Sequence, residues 1–424
     1  MYLILISLVA VLCLLVSSIF RCFVASILRW ALPSMRIKKD YAYQPTVSVL
    51  LPCYNEGQTV YETIQSISKS NYPNDKLEVI AQDDFSVDDS HKWMLKAQQD
   101  FTNIRIRVGR NTVNSGKART VCNALQHSEA EVVVSIDSDC IFHRDCIQEL
   151  VACFAEPKIG AVGGRVGVRN VNESTATMVQ TFYYYIAFQL IKLPENITRS
   201  ITCISGCMFA IRRELLLKLE PRIRNRNWLG IQVNDGEDRF LTHQVLLEGY
   251  GTYINNDAQC WTNVPVTLSQ LIKQQIRWRR SGIRDFFLTL KTLPQHVWKL
   301  HPNAVYSQVV PPLASLLAVC TVFMAAFTDA GFWLAPFMFL LYLAGAAVFD
   351  MVITRHNPEQ RVSSPLRLAT YAIWRLGSIL ITVFALCTFD SSDWGTRAKT
   401  VPQPEPALEP LGAGLPQPEF ASGD

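Results

Sequence analysis

Residues 2–20, YLILISLVAVLCLLVSSIF, hold no charged side chain. An uncharged apolar run of about 20 residues is what a helix needs to cross a bilayer. A cleavable leader is the competing reading. No basic segment precedes the run and no small-residue cleavage site follows it, so the run reads as a membrane helix. Arg21, Arg29, Arg36, Lys38 and Lys39 come directly after it. Basic residues beside a span stay on the cytoplasmic side, so the domain that follows is expected in the cytoplasm.

From about 45 to 265 the chain is polar and reads as alternating strands and helices. VSVLLP (47–52) and VVVSID (132–137) are short β-branched runs suited to strands buried on both faces, and LEVIAQDD (77–84) is a more mixed one. Helical stretches lie between them at 56–70 and 117–128. Such alternation predicts an α/β domain on a parallel sheet, with ligands at the carboxyl ends of the strands. The stretch 266–295 carries a Leu/Ile/Trp/Phe face and a Lys/Arg face, the pattern of a helix lying in a membrane interface. Apolar segments follow near 307–327, 331–353 and 366–388. Arg355, His356, Arg361 and Arg367 mark the loop before the last as cytoplasmic. One span before the domain and three after it would put the tail outside. Either 366–388, with Arg375 in its middle, is re-entrant or interfacial, or the tail is external. The residues after Thr400, rich in Pro, Gly, Glu and Ala, read as a disordered tail. The expected division is a membrane helix at 1–24, a cytoplasmic domain at 45–265, amphipathic interfacial helices at 266–300, membrane segments across 305–390 and the tail at 401–424.

Composition narrows the partners. A formal charge of +4 over 424 residues gives no sign of nucleic-acid binding. The 12 cysteines form no CxxC pair, which favours reduced thiols over a disulfide framework or a zinc site. Asn172 and Asn196 fit the glycosylation tripeptide, but a cytosolic domain would leave them unmodified.

Four acidic or polar clusters fall where a strand-end site would be. Asp83-Asp84-Phe85-Ser86 and Asp137-Ser138-Asp139 each follow a strand. A carboxylate there can accept from a uracil N–H or a ribose hydroxyl. One two residues on can hold a hard cation against a diphosphate. The bland alternative for any DxD is a solvated turn. Gly236-Glu237-Asp238-Arg239 offers a base for an attacking hydroxyl, Asp238 being the choice, and is equally a helix start near Arg239. Gln274-Gln275-Ile276-Arg277-Trp278 offers a bidentate guanidinium and a flat ring for a sugar, against a plain interfacial anchor.

These motifs occur in a familiar order. LLPCYNE (50–56), DD-x-S at 83–86, DSD at 137–139, GEDRFLT (236–242) and QQIRW (274–278) resemble the processive family 2 glycosyltransferases across roughly 45 to 290. GEDR-x-LT, QQ-x-RW-x-RS-x-x-RD and the stretch Ser392-Asp393-Trp394-Gly395-Thr396-Arg397 are most similar to hyaluronan synthases and nodulation chitooligosaccharide synthases. The resemblance implies a GT-A (Rossmann-like) α/β fold, a UDP-sugar donor, inversion to a β-linkage and Mg²⁺ or Mn²⁺. It also implies a growing polysaccharide acceptor exported through a multi-pass cell-membrane domain. By position, Asp84 would bind the uridine, Asp137 the nucleotide and Asp139 the metal, with Lys117 near the diphosphate. Asp238 would be the base, and Gln274, Arg277 and Trp278 would line the donor and acceptor site. Trp394, Thr396 and Arg397, in a gating-type segment at 391–400, would close over the nucleotide.

Two stretches depart from the family pattern, Ser205–Arg212 (SGCMFAIR) and 191–200 (IKLPENITRS). Both fall near the acceptor in that family. The expected product is a β-linked, N-acetylglucosamine-containing polymer, hyaluronan-like or chitin-like. The alternatives are another capsular polysaccharide or β-glucan, single addition to a lipid carrier, and a dead transferase serving as a scaffold.

Overall fold

The computed structural model describes residues 2–32, 37–233, 235–325, 327–328, 336–345, 347 and 365–390. Helix α1 (Tyr2–Ala31) opens the chain. The polar region then alternates β1 (Val47–Cys53), α2 (Thr59–Ser68), β2 (Leu77–Asp83), α3 (Ser90–Asp100), β3 (Arg105–Arg110), α4 (Lys117–Gln126) and β4 (Val132–Ile136). Every residue of β1 and β4 is buried, as expected of central strands covered by helices on both faces. The three strands expected from sequence are therefore present. β1 pairs in parallel with β2 on one side and β4 on the other, with Cys53 opposite Asp83. The acidic residues after β2 and after β4 thus flank the carboxyl end of β1, where the strand order turns.

Beyond β4 the sheet departs from the parallel arrangement expected. Next come β5 (Cys140–Phe142), α5 (Cys146–Ala152), β6 (Ile159–Val168), α6 (Thr175–Tyr185), α7 (Leu193–Ile197) and β7 (Met208–Arg212). They are followed by α8 (Arg213–Arg224), a small hairpin of β8 (Asn227–Trp228) and β9 (Ile231–Gln232), α9 (Glu237–Leu247) and β10 (Gly251–Thr262). The eight-stranded order is β3-β2-β1-β4-β7-β6-β10-β5. β7 runs antiparallel to both β4 and β6, and β5 antiparallel to β10. The result is a mixed α/β sheet. The direction of MFAIR in β7 is set by the loop that delivers it, not by the composition of the strand.

The amphipathic stretch forms one continuous helix, α10 (Leu268–His296), rather than several. It starts at a capping box in which Thr267 and Gln270 bond reciprocally. α11 (Pro302–Ala325), the short α12 (Pro336–Gly345) and α13 (Pro365–Cys387) follow. Two stretches of these, Pro302–Met324 and Leu368–Cys387, are long and apolar enough to cross a membrane, with only 6% and 22% of their windows buried. A core helix of that composition would be mostly covered. Most of the 331–353 segment apart from α12, the loop holding Arg355, His356 and Arg361, and everything from 391 on lie outside the described residues.

Helix α1 continues past the expected boundary at 24, and the basic residues after its apolar run are partly spoken for. Arg21 Nη1 donates to Asn303 Oδ1 at 2.9 Å and Ser307 Oγ at 2.6 Å on α11. Lys39 pairs with Glu149 at 2.7 Å and Asp257 at 2.5 Å. Asn196, one of the two glycosylation tripeptides, is buried. Its amide exchanges bonds of 2.8 and 2.7 Å with the Ile254 backbone, so in this fold it is inaccessible.

Candidate active site

The site starts at Asp84, which is 2% exposed. Its Oδ1 accepts from Asn111 Nδ2 at 2.8 Å, Ser115 N at 2.8 Å and Ser115 Oγ at 3.0 Å, and its Oδ2 from Gly116 N at 2.8 Å. Three of these donors meet Oδ1 and one meets Oδ2, so Asp84 pins the 111–116 loop that opens α4. Asp83 beside it is fully buried, accepting from Ser86 N at 3.0 Å and paired with Arg110 at 3.0 Å.

The loop that Asp84 holds presents Lys117, the first residue of α4. Its ammonium reaches Asp137 Oδ1 at 2.5 Å, the Gly206 carbonyl at 2.9 Å and Glu237 Oε1 at 3.3 Å. Burial alone would lower its pKa, but the carboxylates of Asp137 and Glu237 outweigh that and hold the amine charged. One cation thus ties together the end of β4, the loop before β7 and the start of α9.

Asp139 is pushed up to about 6, first by burial and then by the charge of Asp137. Its oxygens meet only weak donors, Thr262 Oγ1 at 3.3 Å and Cys140 Sγ at 3.4 Å. A buried carboxyl raised in this way beside a second carboxylate is a site that a hard cation would relieve. Among the described residues no group of three His, Cys, Asp or Glu side chains is arranged to hold a metal. A donor set of this size fits Mg²⁺ or Mn²⁺, which keep water and phosphate oxygens as their remaining ligands.

Asp238 and Glu237 open α9 and are driven apart. Glu237 is held below its ordinary value: burial would raise it, but Lys117, with Arg226 and Arg277 further off, more than compensates. Asp238 is raised, by burial first and then by Glu237. Asp238 Oδ2 accepts from Gly206 N at 3.1 Å and its Oδ1 from Arg239 N at 2.8 Å. Neighbouring carboxylates pushed in opposite directions take different roles: Glu237 serves as a fixed counter-charge and Asp238 as the more basic group. The helix start expected near Arg239 is also present, at Glu237.

This turn leans on α10. Gly236 sits at φ +71°, and a Cβ there would collide with Ser281 Oγ. Arg284 Nη2 donates to both oxygens of Asp235 at 2.5 Å, with both side chains buried, and Nη1 donates to the Phe389 carbonyl at 3.0 Å. By sequence Arg284 belongs to the Lys/Arg face of the 266–295 stretch. It instead points inward and anchors the Asp238 turn. Arg226 adds a bond to the Asp235 carbonyl at 2.6 Å.

Further along, Gln274 and Arg277 line a cavity of about 480 Å³ with Asn170, Glu173, Asn263 and Lys273. Asn263 follows Thr262, the partner of Asp139, so the cavity adjoins the candidate metal site. Trp278 is not part of that lining. Its ring is 37% exposed and lies 6.3 Å from Tyr184, which stacks in turn on Phe188 at 6.3 Å. Trp394, Thr396 and Arg397 lie outside the described residues.

The structure therefore brings Lys117, Asp137, Asp139 and Asp238 to one sheet end, with Asp84 behind them and Gln274, Arg277 and Trp278 beside them. Tyr184, Ser115, Asn111 and the Gly206 backbone were not singled out from sequence. The run Tyr183-Tyr184-Tyr185 was a usable signal for the first.

With this geometry in place, comparison with known proteins is informative. Residues 45–281 match the family described as "Glycosyltransferase like family 2". The hyaluronan synthase of Streptococcus pyogenes is 26% identical over 365 residues, 83% of each chain. The N-acetylglucosaminyltransferase of Rhizobium sp. (strain N33) is 28% identical over 356 residues, 83% of this chain and 77% of that one. The mannosyltransferase PcManGT from Pyrobaculum calidifontis, solved with GDP-Man and Mn²⁺, superposes with a TM-score of 0.63. At 21% identity, over 93% of this chain and 100% of that one, it shows a shared fold, the GT-A-like mixed sheet. The family match spans the whole strand-end site from β1 to Trp278 and Ser281, and the chain belongs to glycosyltransferase family 2.

Proposed function

We propose that the protein is a membrane-embedded, processive, inverting transferase. It builds a β-linked, N-acetylglucosamine-containing polysaccharide, hyaluronan-like or chitin-like, from UDP-sugars on the cytoplasmic face and exports it. The observation that carries this reading is the pairing of a charged Lys117 with Asp137 and Glu237, beside an Asp238 whose basicity is raised. Two relatives named as a hyaluronan synthase and an N-acetylglucosaminyltransferase support the choice of sugar.

Asp137 and Asp139 would hold a divalent cation, a group that neutralises charge on a departing diphosphate. The fold neighbour was solved with Mn²⁺ and a nucleotide sugar, which supports that requirement. Lys117 sits where it meets negative charge developing on the leaving group. Asp238 takes the proton of the acceptor hydroxyl as that oxygen attacks the anomeric carbon from the face opposite the leaving group, which inverts the centre. Trp278 and Tyr184 offer flat faces to the acceptor sugar. The uncovered apolar helices Pro302–Met324 and Leu368–Cys387, with α1 against α11, support a membrane location. α10 would lie along the interface, with Phe287 and Leu290 among its exposed apolar side chains.

The test is incorporation. Membranes holding the protein receive labelled UDP-GlcNAc, UDP-GlcA and UDP-Glc, singly and paired, and the product is digested with specific hydrolases. Polymer from UDP-GlcNAc, alone or with UDP-GlcA, is expected. Polymer from UDP-Glc alone, or transfer of a single sugar only, would overturn the reading.

A further inference from the structure

One guanidinium of α10 serves two partners. Arg284 Nη2 holds Asp235, while Nη1 donates to the Phe389 carbonyl at 3.0 Å, just past the carboxyl end of α13. The neighbouring turns of α10 take hold of the same place. Arg280 Nε donates to Thr388 Oγ1 at 3.0 Å, and the Phe287 ring stacks on Phe389 at 5.7 Å. Arg280, Arg284 and Phe287 are four and three residues apart, so they share one face of the helix. Trp228 closes the far side of the Phe389 ring, 6.2 Å from it and 6.4 Å from Phe287. Trp228 belongs to β8, in the hairpin that leads into the Asp235 turn. Phe389 is thereby seated between α10 and the segment that runs on to Asp238.

These contacts leave the turn little freedom. A guanidinium is planar, and its donors form a rigid fork. The Phe389 carbonyl and the Asp235 carboxylate on its two arms therefore shift together or lose a bond. Arg284 and Asp235 are both buried, where water does not replace a lost partner. Asp235 stands three residues before Asp238, and Gly236 between them lies so close to Ser281 that no Cβ would fit. The Asp238 carboxylate is met by the backbone N–H groups of Gly206 and Arg239 at 3.1 and 2.8 Å, bonds whose aim depends on where the turn lies. Misalignment of about 1 Å arising away from the reacting atoms can slow a reaction by about 10²-fold.

We propose that Phe389 is a positioning residue for the transfer. Held by Phe287 and Trp228, it fixes the outer arm of Arg284, and through that arm the Asp235 turn and the aim of Asp238. The end of α13, an apolar helix with a stretch of membrane-spanning length, is thus coupled to the proposed base. A shift of that helix is felt as a change in turnover rather than in nucleotide affinity. This rests on the transferase reading above, with Asp238 as its base, and adds a control on that site.

The test is a double-mutant cycle on the full chain in nanodiscs. Turnover at saturating metal and donor, UDP affinity by calorimetry and melting temperature are measured for Phe389→Ala, Arg284→Gln and the pair. Phe389→Ala is expected to lower turnover by about tenfold or more while UDP affinity stays within about twofold of the original. Phe389→Tyr, which keeps the ring, should retain most of the turnover. Because the ring acts through the guanidinium, the pair should lose no more turnover than Arg284→Gln alone. Losses that multiply overturn the proposal, as does normal turnover in Phe389→Ala or a UDP affinity that falls in step with turnover. If Phe389→Ala does not fold, Phe389→Leu, which keeps bulk without a ring to stack, takes its place in the cycle. Hydrogen exchange gives a readout without turnover. Amides of 235–239 should exchange faster in Phe389→Ala and those of 111–116 at the original rate, and unchanged exchange at 235–239 overturns the proposal. Incorporation by the unaltered protein judges the transferase reading, so losses that multiply strike the positioning role alone.

Discussion

The two halves of the site are held by different means. The half proposed to hold the nucleotide is built within the sheet domain. Asp84 fixes the 111–116 loop with four hydrogen bonds, and Lys117 then bridges to Asp137. The side carrying Asp238 depends on a partner outside the sheet. Its turn is held by the Asp235–Arg284 pair and by close packing of Gly236 on Ser281, both to α10, which itself packs along α13 through Arg280 and Thr388 at 3.0 Å. The two supports meet at Lys117, which pairs with both Asp137 and Glu237, but only the second draws on α10. Damage to α10 should reach the chemistry while sparing the nucleotide.

The largest expected effect removes the shared cation. Asp139→Asn, like addition of a chelator to the unaltered enzyme, should reduce incorporation to background while the protein remains folded in membranes. Near-normal synthesis by that variant in Mg²⁺ would show that Asp139 is no ligand. Next comes the brace. Arg284→Ala leaves Asp235 buried and unpaired, a change worth about 3–5 kcal/mol. Thermal unfolding in detergent should shift down strongly and incorporation should fall, whereas UDP affinity at low temperature should stay close to the original. A parallel loss of UDP binding would erase the proposed division.

On the other side, Asp84→Asn keeps shape but turns one acceptor oxygen into a donor facing N–H groups. UDP affinity should weaken by about tenfold, in the range for one unsatisfied buried group, with the unfolding temperature less affected than in Arg284→Ala. The smallest effect is in pH. A base must be unprotonated to act, and burial plus Glu237 raise Asp238. At saturating metal and donor, the turnover rate should therefore fall with acidity in a range above that of an ordinary aspartate. A limb at the ordinary position would mean that the raised group is not the base.

Much of the sheet was legible from the residues. β1 and β4 are apolar apart from Ser48 and Ser135, and each is buried along its whole length. β7 was not legible in direction, since an antiparallel partner leaves no mark on a five-residue strand. At the site, residue types at strand ends pointed to Asp84, Asp137, Asp139 and Asp238, but their partners were hidden by distance along the chain. The donors that fill Asp84 come from Asn111, Ser115 and Gly116, and the guanidinium that holds Asp235 comes from α10. Charge alone could not separate Arg284, which turns inward, from the other basic residues of an amphipathic helix. The same blindness applied to Arg375, whose tyrosine neighbours lie on other helices.

The central claim is that Asp238 acts on a nucleotide site built without it. Calorimetric UDP affinity and sugar incorporation, measured side by side for Asp238→Asn and Glu237→Gln, test this directly. Asp238→Asn is expected to bind UDP about as well as the original while elongation drops by about 10²–10⁴-fold, the usual weight of a general base. Glu237→Gln, which loses only a counter-charge to Lys117, should keep more of its elongation. Elongation that survives in Asp238→Asn but vanishes in Glu237→Gln would contradict the assignment, and so would loss of UDP binding in Asp238→Asn.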